Sequence, residues 1–300
     1  MPYPDHNKER FFKYTSAKNA ACILETSAVH YTSPLLFNDP FDAQSGLHFD
    51  FDIQSFPDRL LKHIQQLVSS NTISNLPANS PWGEAIRFLH EKRTAHGPIP
   101  NELWDSVHFL IGQLRDQMIH LQTGFKKDWD DYLLRMRVFS VAEEKDSLLM
   151  WSHYAESHTG AVFEFLVLPQ EDNPLCVARP ILYSESPPSL FTEQQWKDDI
   201  LGISPLDLDK LYIQYAYVKN NIWAYEKEWR VWDFIPEQQE VLYSEYPLRE
   251  KEIAAVYLGC KISPDDKARL VTLMSQKQPH ARIFQARKAS EEFRLDFETL

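Results

Sequence analysis

Residues 11–32 read Phe11-Phe12-Lys13-Tyr14-Thr15-Ser16-Ala17-Lys18-Asn19-Ala20-Ala21-Cys22-Ile23-Leu24-Glu25-Thr26-Ser27-Ala28-Val29-His30-Tyr31-Thr32, and this stretch decides the fold class. The aromatic and β-branched run Phe11–Thr15 predicts a short strand. Ser16 is a good N-cap, since its hydroxyl can accept from an unpaired amide of the first turn, and Ala20, Ala21, Ile23 and Leu24 carry a helix onward. Ala28–Thr32 predicts a second strand, stopped by Pro34. Further strand signals fall at Leu47–Ile53, Val138–Val141, Ala161–Phe165, Cys176–Tyr183, Trp229–Phe234, Glu240–Tyr243, Ala254–Leu258 and Arg282–Ala286. Helices are expected at Leu148–Glu156, Thr192–Leu201, Leu206–Val218 and after Ser263-Pro264-Asp265-Asp266, where an N-cap serine, a first-turn proline and two acids suit a helix start.

From about Phe56 to Arg137 the pattern turns helical. Leu103, Val107, Leu110, Ile111, Leu114, Met118 and Leu121 recur at three-four spacing and make one apolar stripe. Strands and helices mix without a strict βαβ rhythm, so the expectation is an α+β fold with a mixed or antiparallel β core and flanking helices. It is read as a single domain over residues 1–300, with a helical insertion at 56–135.

Composition bounds the function. The chain has 300 residues, 43% hydrophobic and 13% aromatic, with a formal net charge of −12. That charge argues against broad binding to a phosphate backbone, which relies on release of counterions by Lys and Arg. A local basic groove around Lys126, Lys127, Arg135 and Arg137 is weighed against a solvated helix side. No stretch approaches the ~20 apolar residues of a membrane span. Met1–Lys13 is polar, without the apolar centre of a signal peptide. Cys22, Cys176 and Cys260 stand far apart and suit small core positions in a reducing cytosol. A cytoplasmic protein is expected, with its oligomeric state open.

Three clusters carry candidate chemistry. The first is Lys13-Tyr14-Thr15 with the turn Asn38-Asp39-Pro40-Phe41-Asp42. Asn38 and Asp39 either shape that turn through side-chain-to-backbone bonds or present Asp39 and Asp42 at a pocket rim. The second is Ser140, then Trp151, Tyr154 and His158 ahead of Gly160. His158 is read as a C-terminal cap or as a pocket donor, and Trp151 and Tyr154 as core or as a stacking platform. The third is Trp223-Ala224-Tyr225-Glu226-Lys227-Glu228-Trp229-Arg230. In an extended chain Glu226, Glu228 and Arg230 share one face, and Tyr225, Lys227 and Trp229 the other. Two carboxylates and a guanidinium are costly to bury unless paired, so they form either a solvated charge network or a pocket.

No metal is expected. His48, Asp50 and Asp52 alternate on one presumed strand face, but no companion His or Cys completes a site. A metal-dependent nuclease is the second alternative, although that reading wants an acid and then Glu-x-Lys, whereas Glu226-Lys227-Glu228 misplaces the lysine by one. With 8 glycines in the chain, no phosphate-cradling loop is visible.

Taken together these motifs resemble a family found across bacteria and catalogued as a domain of unknown function. The matching pieces are Lys13-Tyr14, Phe37 to Asp42, Met150 to Ala155 with His158 and Gly160, Trp223 with Tyr225 to Arg230, and Val256-Tyr257-Leu258-Gly259. A more distant resemblance is to ADP-ribosyltransferases, in the opening strand–helix–strand, the mid-chain Ser140 and the late Glu-x-Glu. That resemblance implies a transferase or glycohydrolase acting on NAD, in the setting of a toxin or an antiphage effector. It implies Glu228 as the catalytic acid and Glu226 as the group that orients substrate, with Arg230 beside them. Lys13, Tyr14, Thr15, Asn38, Asp39, Asp42, Ser140, Trp151, Tyr154, His158 and Tyr225 are then the candidate binding residues. Lys13 or Tyr14 stands where the family has a His or Arg, and a lysine lacks the arginine fork. The rival expectation is a non-catalytic sensor or regulatory protein whose aromatic residues line a recognition pocket for a nucleotide or a protein partner. One geometric expectation follows: Tyr14, Asn38, Trp151, Tyr154, Glu226, Glu228 and Arg230 converge on one cleft, with Arg230 or Lys13 holding Glu228 ionised.

Overall fold

Short strands with aromatic and β-branched residues alternate with well-capped helices along the chain. A computed structural model describes residues 5–70, 76–77, 80–237 and 240–300. Positions 71–75 and 78–79 of the expected helical stretch, and 1–4 of the polar start, lie outside the described residues. β1 (Arg10–Thr15), α1 (Ala17–Thr26) and β2 (Ala28–Thr32) come first, followed by α2 (Phe56–Ser69), α3 (Pro81–His96) and α4 (Asn101–Arg135). Next are β3 (Met136–Ala142), α5 (Leu148–His153), β4 (Ala161–Leu166), β5 (Arg179–Pro180) and β6 (Leu182–Ser184). Then follow α6 (Glu193–Ile200), α7 (Leu208–Tyr215), β7 (Val218–Asn220), β8 (Glu228–Phe234) and β9 (Tyr243–Pro247). β10 (Ile253–Leu258), α8 (Pro264–Lys277), β11 (Arg282–Lys288) and β12 (Leu295–Thr299) complete the α+β fold. Among the described residues no helix is long and apolar enough to cross a membrane.

The chain divides into two compact units, one made of residues 1–44, 132–186 and 217–300, the other of 45–131 and 187–216. In the first unit the strands run β12-β11-β10-β4-β1-β3-β2-β9, with β8 added to β3 and β5 to β8. β10 and β11 pair in parallel and the other ladders of this sheet are antiparallel. β3 is a fork. It pairs with β8 along its whole length, Ser140 opposite Arg230 and Ala142 opposite Glu228. Its register with β1 is the single pair Phe12–Ala142, and with β2 the single pair Thr32–Val138. Where a ladder stays open, space is left between strands.

Alternation on β1 feeds two cores. Phe11 joins α1, α8, Phe139, Phe163 and Trp229 on one side, while Phe12 and Tyr14 join Trp151, Tyr257 and Ala286 on the other. Ser16 and Ser263 cap α1 and α8 by accepting the amides of Asn19 and Asp266. Gly160, just before β4, has no room for a side chain, because a Cβ there would lie 2.1 Å from the Thr15 carbonyl oxygen.

The second unit holds α2, α3, α6, α7 and most of α4. Leu47–Ile53 is no strand: Phe49 and Phe51 pack among Phe56, Phe125, Phe191 and Trp196, so side-chain burial replaces a backbone ladder. Asp50 and Asp52 accept the amides of Glu193 and Gln54 instead of sharing a strand face. On α4 the apolar stripe is only partly covered, with Val107, Ile111 and Met118 buried and Leu110 and Leu121 exposed.

Three other expectations are corrected in the first unit. Cys176–Tyr183 is broken into a 3-10 turn and the two short strands β5 and β6. α5 ends at His153, because Glu156, Ser157 and His158 all take positive φ in the turn that delivers the chain to Gly160. Arg137 belongs to no basic groove: it is fully buried and donates to the carbonyls of Leu134, Met136 and Val241.

Candidate active site

The segment from β7 to β8 builds the polar floor of a cavity. Asn220 caps a 3-10 turn, Asn221–Glu226, by accepting the amide of Ile222 at 2.9 Å. Lys227 then takes φ 43°, in the left-handed region. That single residue re-aims the chain, and β8 starts at Glu228. The straight strand expected over 226–230 is therefore corrected. Glu228 and Arg230 share a face by strand alternation, whereas Glu226 reaches the same floor from the end of a turn. Lys227 is exposed and paired with Glu144.

Three buried carboxylates, Asp42, Glu226 and Glu228, meet two buried cations. Arg230 donates to both oxygens of Glu228 (2.7 and 3.1 Å) and to both oxygens of Asp42 (3.0 and 2.5 Å). Lys219 on β7 reaches Glu226 at 2.5 Å, Glu228 at 3.0 Å and Asp42 at 3.4 Å. Tyr154 donates to the other oxygen of Glu226 at 2.5 Å. The Tyr183 hydroxyl accepts the Glu228 amide at 2.8 Å.

The two glutamates are driven apart. Burial alone would raise the Glu228 carboxyl, but the charges of Arg230 and Lys219, with a Ser140 hydrogen bond, hold it well below the usual carboxylate range. Burial raises Glu226, and the attraction of Lys219 does not cancel it because Glu228 repels a second charge. Lys219 and Arg230 are held charged: burial opposes their protons, and the carboxylates more than offset it. Burial pushes Tyr154 up, and the Glu226 carboxylate adds to the shift. Lys13 differs. Burial lowers its ammonium to about 8, and Glu228 and Glu226 restore only part of the loss. Its Nζ donates to the Ser140 carbonyl at 2.7 Å and lies 5.1 Å from the Phe139 ring centre.

The cavity has a volume of about 520 Å³ and opens where β1 and β2 splay from β3. Lys13, Tyr14, Thr15, Asn38, Asp42, Ser140, Tyr154, Glu226, Glu228 and Arg230 all line it. Four expected residues do not. Trp151 is fully buried in the second core, its indole donating to the Lys145 carbonyl. His158 stacks on Trp151, with Nε2 3.2 Å from the Ser152 hydroxyl; its amide donates to the Trp151 carbonyl at 3.1 Å and so closes the end of α5, and it does not enter the cavity. Asp39 holds its own turn through the Phe41 amide and takes the Trp223 indole at 2.6 Å. Tyr225 packs at the edge of the second core. Sequence reasoning missed Lys219 and Tyr183. Charge balance was the available signal for Lys219, since three buried acids need more than one arginine.

Residues 150–231 match a family model described as a protein of unknown function (DUF2971). The matched segment carries Tyr154, Lys219, Glu226, Glu228 and Arg230, while Lys13 and the Asn38–Asp42 turn lie outside it. No curated protein and no solved structure matches the chain.

Proposed function

We propose that the cavity binds a pyridinium nucleotide of the NAD type and breaks its N-glycosidic bond, passing the ribosyl group to water or another acceptor. The observation that carries this reading is the pair of carboxylates held apart in protonation at one cavity floor, Glu228 ionised and Glu226 shifted up. Such a pair marks an acid–base assignment. Charge count points the same way. With all carboxylates ionised, Asp42, Glu226 and Glu228 oppose Lys219, Arg230 and Lys13, so the lining is balanced while Lys13 is protonated and one charge negative once it is neutral, above about pH 8. A lining without excess positive charge accepts a cationic pyridinium and the positive charge that develops at C1 of the ribose.

The step balances as follows. The C1–N bond breaks, its electron pair neutralises the pyridinium, and nicotinamide leaves. The oxocarbenium-like C1 is stabilised by the fixed charge of Glu228. Water adds to C1 and gives its proton to the ionised form of Glu226, which Tyr154 orients. Lys13, Thr15, Asn38 and Ser140 supply hydrogen bonds to the sugar. In a cell, NAD consumption of this kind suits a toxin or an antiphage effector.

The test is nicotinamide release from NAD by the purified protein, with and without a cell lysate as a source of acceptors. The Glu228→Gln variant should lose about 10²-fold or more in rate, the scale of removing one preorganised electrostatic group. Absence of both nicotinamide and labelled product from the wild type contradicts the proposal. One observation favours a binding-only reading: both oxygens of Glu228 are already taken by Arg230. On that reading nucleotide raises the melting temperature without being consumed.

A further inference from the structure

We propose that Lys13 is a carbonyl-reactive amine, and that the cavity takes a small hydroxylated aldehyde as a reversible imine on its Nζ. The geometry is that of an amine set apart from the charge network. Lys13 shares the cavity lining with Glu226 and Tyr154. Its Nζ has one hydrogen-bond acceptor, the Ser140 carbonyl, and among the described residues it makes no ion pair with a carboxylate, whereas Lys219 and Arg230 are each tied to carboxylates. A lysine locked in an ion pair keeps its proton and is inert, while a desolvated lysine without such a pair is the kind that forms Schiff bases. The value of about 8 supports this reading, since it leaves a usable neutral fraction near neutrality.

The chemistry closes without an outside reagent. The amine lone pair attacks the carbonyl carbon, and the carbonyl oxygen takes a proton from the protonated fraction of Glu226. The carbinolamine loses that oxygen as water, one nitrogen proton leaving with it and the other returning to Glu226 as C=N forms. Amine and aldehyde give imine and water. Thr15, Asn38 and Ser140 on the same lining are hydrogen-bonding groups for the hydroxyls of the aldehyde. This inference goes beyond the glycosidic reading and rests on a different residue, so nicotinamide release and Lys13 reactivity fail separately.

The experiment traps the imine in the intact protein with glyceraldehyde and cyanoborohydride, followed by peptide mass spectrometry. Lys13 should be modified at least about tenfold faster than the exposed Lys126 and Lys127, because only the neutral amine reacts. Its rate should reach half its plateau near pH 8, and propanal should label it more slowly than glyceraldehyde. Lys13→Arg should abolish that adduct and leave the others. Should Lys13 react no faster than Lys126 and Lys127, the proposal is overturned, and this comparison within the wild type does not depend on whether the variant folds. Equal rates with propanal would overturn the recognition of hydroxyls.

Discussion

Arg230 decides the buried charges of the floor. Its guanidinium takes four carboxylate oxygens, so Arg230→Met strands Asp42 and Glu228 with only Lys219 between them. Breaking a buried pair by removing one partner costs ~3–5 kcal/mol. Calorimetric melting should show a loss of that size, and a variant as stable as the wild type would contradict the network. Lys13 gives a prediction in pH. Its folded value of about 8 lies below the unfolded 10.5, so its charged form is disfavoured by folding. The resulting penalty is full below about pH 8 and is relieved as pH rises towards 10.5. Wild-type stability should therefore gain on that of Lys13→Met across this window in denaturant titrations. A constant difference would show the amine is not desolvated. At this scale Glu228, Arg230 and Asp42 were legible, because acids and an arginine at alternating or turn positions have few cheap fates. For Lys219 charge balance asks for a second cation without saying which, since a lone lysine between a helix and a turn looks like surface until its partners are known.

Among the elements, backbone crowding holds β1 against the turn before β4. A Cβ on Gly160 would meet the Thr15 carbonyl, and one on Gly259 the His158 carbonyl, each at 2.1 Å. Backbone atoms cannot step aside as a flexible side chain can, so Gly160→Ala and Gly259→Ala should each cost about 3 kcal/mol, the upper range of overpacking. Gly112, inside α4, has open space around it. There Gly→Ala should add about 1 kcal/mol, since a mid-helix glycine carries only an entropic cost. Chemical denaturation of the three variants checks both signs. If Gly160→Ala and Gly112→Ala shift the midpoint in the same direction, crowding is not what holds β1 against the turn before β4. The strand–helix–strand opening was legible because Ser16 and the apolar runs are local signals. The left-handed turn at Glu156–His158 and the 3-10 turn before Glu228 were not. No residue in either segment announces it, and tertiary packing overrides the local preference for continuing a helix or a strand.

At the scale of the whole molecule, the forked sheet explains why distant segments share one cavity. β1, β2, β3, the β7–β8 turn and the Asn38–Asp42 turn meet where the ladders to β3 stay open, an arrangement of non-local pairing that no periodicity encodes. Ligand binding should be visible globally. A nucleotide at 100 times its dissociation constant would stabilise the protein by ~2.7 kcal/mol. NAD should do so in the wild type, while Arg230→Met, with the floor disrupted, should show no shift. What underlies the glycosidic reading is that one cavity floor shifts Glu226 up and holds Glu228 down. The most direct measurement is a pH titration of carboxyl ¹³C shifts in glutamate-labelled protein, with Glu226→Gln and Glu228→Gln assigning the two signals. The Glu226 signal should titrate above the ordinary 4.5, while the Glu228 signal should stay at its ionised position well below it. Two signals moving together near 4.5 would contradict the account.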